Sequence, residues 1–225
     1  PFAQIKEEHY LPAFYEGCAE HLVEVQAILD TPGAATFENT IVALERSGQY
    51  LGRMMRVFYN KSSSDTNDAL DTIEEEVAPK LAAHQDAISL NPVLFKRIKD
   101  LYDARESLGL NSEDAWLLER YFKDLIHKGA HLTEAQRVRL KELNEELSSL
   151  QTQFSKNVLA DTNDLAVLVD SVEELDGLSE NQIAAAAAAA KDRGHEGIWL
   201  IGMVNFTGNP VLDSLTNRPL RKKIM

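Results

Sequence analysis

The stretch TEAQRVRLKELNEELSSLQTQFSKNVLA, residues 133–160, decides the fold class. Leu140, Leu143, Leu147, Leu150, Phe154 and Val158 recur at steps of three and four, which puts them on one face of an α-helix. Thr133 and Gln136 have the spacing of a capping box, so the helix begins there. The pattern is nearly a heptad repeat over about three heptads, a seam able to pack lengthwise on a neighbour.

The same period continues upstream. Phe37, Ile41, Leu44, Leu51, Met55 and Phe58 predict one apolar stripe on a helix starting near Thr36, with Gly48 filling one slot. A second helix runs from about Asp65 through Leu70, Ile73, Val77, Leu81, His84 and Ile88. Pro79 is expected to kink it, because the ring removes one backbone bond and crowds the preceding turn. Asn91-Pro92 opens a third with Val93, Leu94, Ile98 and Leu101. Asn111 or Ser112 caps the next, which ends near Gly129.

Downstream the period changes. LAVLVD (165–170) and IWLIGMV (198–204) are short, β-branched and apolar, and read as buried strands. Between them Ser179 and Gln182 form a second capping box, the seven alanines Ala184 to Ala190 form a helix, and Gly194 stops it. Together they suggest a small βαβ unit, with the direction of pairing left open. Asn217 and Pro219 then start a helix, and the chain stops at Met225. The prediction is a mainly α protein, a multi-helix bundle with a small two-strand β patch near residues 165–204. No Gly-, Ser- or Pro-rich linker interrupts it, so 1–225 reads as a single helical region with a candidate sub-boundary near 161–178.

The chain has 225 residues, 44% of them hydrophobic, which is enough for a core. Its 23 basic and 36 acidic residues give a net charge of −13. Nucleic acid binding draws most of its affinity from Lys and Arg on phosphates, so no nucleic acid partner is expected, and no anionic membrane surface either. No apolar run approaches the roughly 20 residues that span a bilayer. Cys18 is the only cysteine, so no internal disulfide is possible and the compartment, cytoplasmic or periplasmic, stays open. Pro1-Phe2 reads as a trimmed start.

Residues in patterns that carry chemistry are sparse. His127 and His131 have a zinc-site spacing, but Gly129 between them marks a helix end rather than the rigid helix a ligand pair needs. His195-Glu196 begins like H-E-x-x-H, yet the second histidine position holds Trp199 and Gly197 disfavours a helix. His84 lies on an apolar stripe and reads as a core or boundary histidine. Glu74, Glu75 and Glu76 read as a solvated face. No phosphate loop or G-x-S-x-G elbow is present. The expectation is no catalytic, cofactor-binding or metal residue in this chain.

Several separated stretches go further: PFAQIKEEHYLPAFYEG (1–17), TFENTIVALERSG (36–48), SSSDTNDALDTIEEEVAPKLAAHQDAISLNPVLFKRI (62–98), ELDGL (174–178), Trp199 and NRPLR (217–221). In this order they resemble the N-terminal half of the thimet oligopeptidase and peptidyl-dipeptidase family of zinc metallopeptidases, its peptidyl-dipeptidase branch most of all. The resemblance implies a largely helical enzyme split by a deep channel that admits only short peptides. It also implies a C-terminal catalytic half, absent from this chain, with zinc held by H-E-x-x-H and a downstream Glu. This chain would then be a non-catalytic fragment that walls the channel, its partners short peptides and the missing half. The alternative reading is a stand-alone helical protein-interaction module.

Overall fold

The computed structural model describes residues 2–204 and 207–225; Pro1, read above as a trimmed start, lies outside them. Among the described residues the chain is mainly helical, with one two-stranded antiparallel sheet. It divides into two compact units, Pro1–Thr152 and Gln153–Met225.

The first unit contains α1 (Tyr10–Leu29), α2 (Ala43–Arg46), α3 (Gln49–Ser64), α4 (Asp68–Ser89), α5 (Pro92–Asp103), α6 (Ser112–His127) and the start of α7 (Glu134–Asp164). Their first turns leave backbone N–H groups without helical partners, and side chains supply them. Thr36 Oγ1 accepts from the Asn39 N–H at 3.0 Å, opening a widened π-turn segment, Phe37–Val42, that runs into α2. The Asn67 side chain accepts from Leu70, that of Asn91 from Val93 and Leu94, and that of Asn111 from Glu113 and Asp114. Asparagine rather than Ser112 is therefore the cap of α6.

Two apolar clusters hold this unit together. Tyr10 and Phe14 of α1, Leu51, Met55 and Phe58 of α3, and Leu70, Ile73 and Val77 of α4 form one. Ile41, Leu94, Ile98, Leu101, Leu118, Leu125 and Ala130 form the other. Burying each large side chain contributes roughly 1.5–3 kcal/mol. Gly17 lets α1 approach α3, because a Cβ there would stand 3.0 Å from the Leu51 Cα.

The single stripe expected from Phe37 to Phe58 is instead two elements. Gly48 does not fill a slot; it adopts φ +67° and turns the chain between α2 and α3. Only glycine takes that conformation without strain. Ile41 consequently joins one cluster, while Leu51, Met55 and Phe58 join the other. Pro79 lies inside α4, which continues through it as one helix.

Helix α7 has the start the sequence predicts: the Thr133 N–H donates to Gln136 Oε1 at 3.0 Å. Its seam is uncovered. No residue of α7 is buried, and Leu147, Leu150 and Phe154 are 53%, 59% and 70% exposed.

The second unit contains β1 (Val167–Val169), α8 (Glu180–Asp192), β2 (Trp199–Ile201), α9 (Gly208–Ser214) and α10 (Arg218–Ile224). Val167 faces Ile201, Leu168 faces Leu200 and Val169 faces Trp199 in an antiparallel ladder. The suggested βαβ unit therefore has the helix but not the parallel crossover. Ser179 and Gln182 make the predicted capping box at α8, and the turn at Gly194, φ +79°, follows its end. Val169, Leu175, Leu215 and Ile224 fill the core between these elements. Gly177 sits so close to the 214–216 backbone that a Cβ would lie 2.2 Å from the Ser214 carbonyl oxygen.

Candidate functional site

The histidines singled out by spacing do not converge. His127 is the last residue of α6 and His131 lies in the turn beyond it, both exposed. His195 and Glu196 stand on an exposed turn between α8 and β2. Among the described residues no group of three or more His, Cys, Asp or Glu could hold a metal ion. No helix there is long and apolar enough to cross a membrane. Of the carboxylate run, Glu76 accepts hydrogen bonds from the Tyr15 hydroxyl and the Lys80 ammonium, tying α1 to α4. These two donors hold its carboxyl below the usual range. Cys18 is half-buried on α1, and burial pushes its thiol up to about 11, away from thiolate reactivity.

The spacing did not signal one part-buried polar arrangement. His21 of α1 and His84 of α4 face one another, Nδ1 to Nε2, at 3.0 Å. His21 Nε2 also lies 3.2 Å from Ser47 Oγ, in the turn before α3. The adjoining Gly48 N–H donates to Glu24 Oε2 at 2.6 Å. Burial lowers the pKa of both imidazoles; Glu24 partly opposes this at His21, and the neighbouring His21 lowers His84 further. The two rings are 63 residues apart in sequence, so no local pattern could have paired them.

Concavities lie in each unit, among them two in the first and one in the second. His21, Trp116, Arg120, Tyr121 and Asp124 border one of about 480 Å³. There the Tyr121 hydroxyl donates to Glu45 at 2.5 Å, and burial followed by that carboxylate raises its pKa. A second, of about 490 Å³, runs between α4 and α7 over the buried Asp86. Both Asp86 oxygens are already taken by the Asn144 amide, at 3.0 and 2.9 Å. The third, about 370 Å³ in the second unit, is walled by Ala185, Ala186 and Ala189 and by Leu200 and Ile201 of β2. No polar side chain lining it is buried.

No family model matches the chain. Individual proteins do. The chain is 39% identical over 223 residues, 99% of its length, to a dipeptidyl carboxypeptidase of Escherichia coli (strain K12). It is 38% identical over the same span to a dipeptidyl carboxypeptidase of Salmonella typhimurium. The resemblance read in the sequence is thus shown: the chain is similar, end to end, to part of a dipeptidyl carboxypeptidase. An oligopeptidase A of Salmonella typhimurium is 26% identical over 224 residues. The chain spans 33% of the length of each of these peptidase relatives.

Proposed function

We propose that this chain is the N-terminal, channel-forming region of a zinc-dependent peptidyl-dipeptidase or oligopeptidase that hydrolyses short peptides. Its 39% identity to a dipeptidyl carboxypeptidase over 99% of the chain carries the reading. Among the described residues no group of three or more His, Cys, Asp or Glu could hold zinc. In this reading the metal, the general base and the attacking water belong to a catalytic half whose H-E-x-x-H lies beyond the matched region. The helices of this chain supply a wall that limits access to short, flexible substrates and excludes water on closure.

Sequencing the parent reading frame past Met225 tests this directly. The expected finding is H-E-x-x-H a few hundred residues on, with a glutamate ligand downstream. A frame that ends without it removes the peptidase reading. The purified chain is expected to leave short peptides intact, and cleavage abolished by a chelator would overturn its non-catalytic role.

The exposed seam of α7 counts against the alternative reading, a stand-alone helical protein-interaction module with its apolar seams covered. A module complete in itself is expected to be a monomer that binds no hydrophobic dye. A chain separated from a larger body is expected to bind dye or to self-associate.

A further inference from the structure

The hydrogen positions around His21 and His84 follow from one hydroxyl. Ser47 Oγ lies 2.7 Å from the Leu44 carbonyl oxygen and 3.2 Å from His21 Nε2. The hydroxyl has a single proton and a carbonyl can only accept, so that proton goes to Leu44. Ser47 Oγ then accepts from His21 Nε2–H. A neutral imidazole has one N–H, which leaves His21 Nδ1 as a lone pair. His84 Nε2, 3.0 Å away, therefore carries the hydrogen and donates it. The remaining nitrogen, His84 Nδ1, is a lone pair too, and it is a buried atom without a partner. Every bond in the chain His84 to His21 to Ser47 to Leu44 runs one way.

We propose that the His21–His84 pair is a proton-operated latch between α1 and α4, which stays closed with one added proton and opens with a second. The first proton goes to His84 Nδ1, the unpartnered nitrogen, and leaves all three bonds intact. The second has only His21 Nδ1 to go to. Two N–H groups then face each other where a donor and an acceptor stood, on two cationic rings, and the central bond is lost.

Movement of His21 has a defined consequence. Its ring fills the space beside Gly48, where a Cβ would meet it at 2.8 Å. A ring that leaves removes the packing against the α2–α3 turn and leaves Glu24, through the Gly48 N–H, to hold it. Charged and titratable groups near His21 include Glu24 on α1 and Glu45 on α2. On α6 they are Arg120, Tyr121, Asp124 and Lys128, which share the cavity bordered by His21.

The sign is fixed by the lowered pKa values of both rings. The unfolded chain takes up these protons near pH 6.5, before the folded chain does. The stabilising contribution is therefore complete above about pH 6.5 and lost as the pH falls from there through the folded values. Each proton taken up on unfolding changes the folding constant about tenfold per pH unit.

Nitrogen-15 spectra of the imidazoles in the intact 225-residue chain, followed from pH 8 to 5, test the proposal. Both rings are expected as Nε2–H tautomers at pH 8, and one ring is expected to titrate well before the other. An Nδ1–H tautomer on either ring, or two rings titrating together near 6.5, overturns it. Urea unfolding between pH 7 and 5.5 gives a second readout. His84→Gln keeps an N–H donor toward His21 but cannot titrate there, so its folding constant is expected to fall about tenfold less per pH unit than that of the unaltered chain. Equal slopes overturn the latch. Should His84→Gln not fold, the spectra of the unaltered chain decide.

Discussion

Helices α3 and α7 carry the same three-four spacing and meet opposite fates. Leu51, Met55 and Phe58 of α3 are 6%, 8% and 1% exposed. Leu147, Leu150 and Phe154 of α7 are 53%, 59% and 70% exposed. Periodicity determines which side chains share a face; it does not determine what covers that face. The difference lies in the neighbours. α3 is enclosed by α1, whose Gly17 permits close approach, and by α4. The first half of α7 meets its neighbours within the unit through side chains such as Asn144 on Asp86 and Leu140 beside Gly129, without burying its seam.

The comparison breaks most sharply at its two phenylalanines. Phe58→Ala is expected to lower unfolding stability by roughly 3–5 kcal/mol, from lost burial and the cavity left behind. Phe154→Ala should stay within about 0.5 kcal/mol of the parent chain, because it removes nothing buried. Urea unfolding of both variants checks the pair, and similar losses would mean that the α7 seam is covered in solution.

Gly48→Ala comes next. A Cβ at φ +67° and against the His21 ring is expected to destabilise by roughly 1–3 kcal/mol. A neutral result would put α2 and α3 back on one continuous helix.

Removing the Asn91 cap by Asn91→Ala should cost about 1 kcal/mol in thermal or urea unfolding, since the Val93 and Leu94 N–H groups lose their acceptor. The smallest stability effect is expected at Leu150→Lys, within about 0.5 kcal/mol. Its informative readout is a loss of hydrophobic-dye fluorescence, and unchanged fluorescence would place the exposed apolar surface elsewhere.

Much of the fold was legible because its signals are local. Asn91-Pro92, Ser179 with Gln182, Asn217 with Pro219 and Gly194 mark helix ends within a few residues, and the structure puts helix ends there. Gly48 was misread because a glycine inside a periodic stripe is equally compatible with a slot and with a turn; only φ distinguishes them. The antiparallel pairing of β1 and β2 was not readable, since three-residue strands fix no direction until their partners are known. His84 was read from its stripe as a core or boundary histidine, and it is buried. Its partner His21 was not recognised, because two rings 63 residues apart meet only when α1 and α4 pack. The family resemblance was carried by residues scattered along the whole chain, none of which is a catalytic motif.

The antiparallel ladder also sets how the second unit answers to mechanical load. Val167 and Ile201 are partners at one end of the pair, so a pull on the chain flanking the β1–α8–β2 segment acts on that end alone. The ladder then peels one rung at a time, with Leu168–Leu200 next and Val169–Trp199 last, instead of resisting as a sheared parallel pair whose rungs share the force. Under tension this corner of the molecule is a zip fastener, and the apolar core beneath it is the spring that closes it.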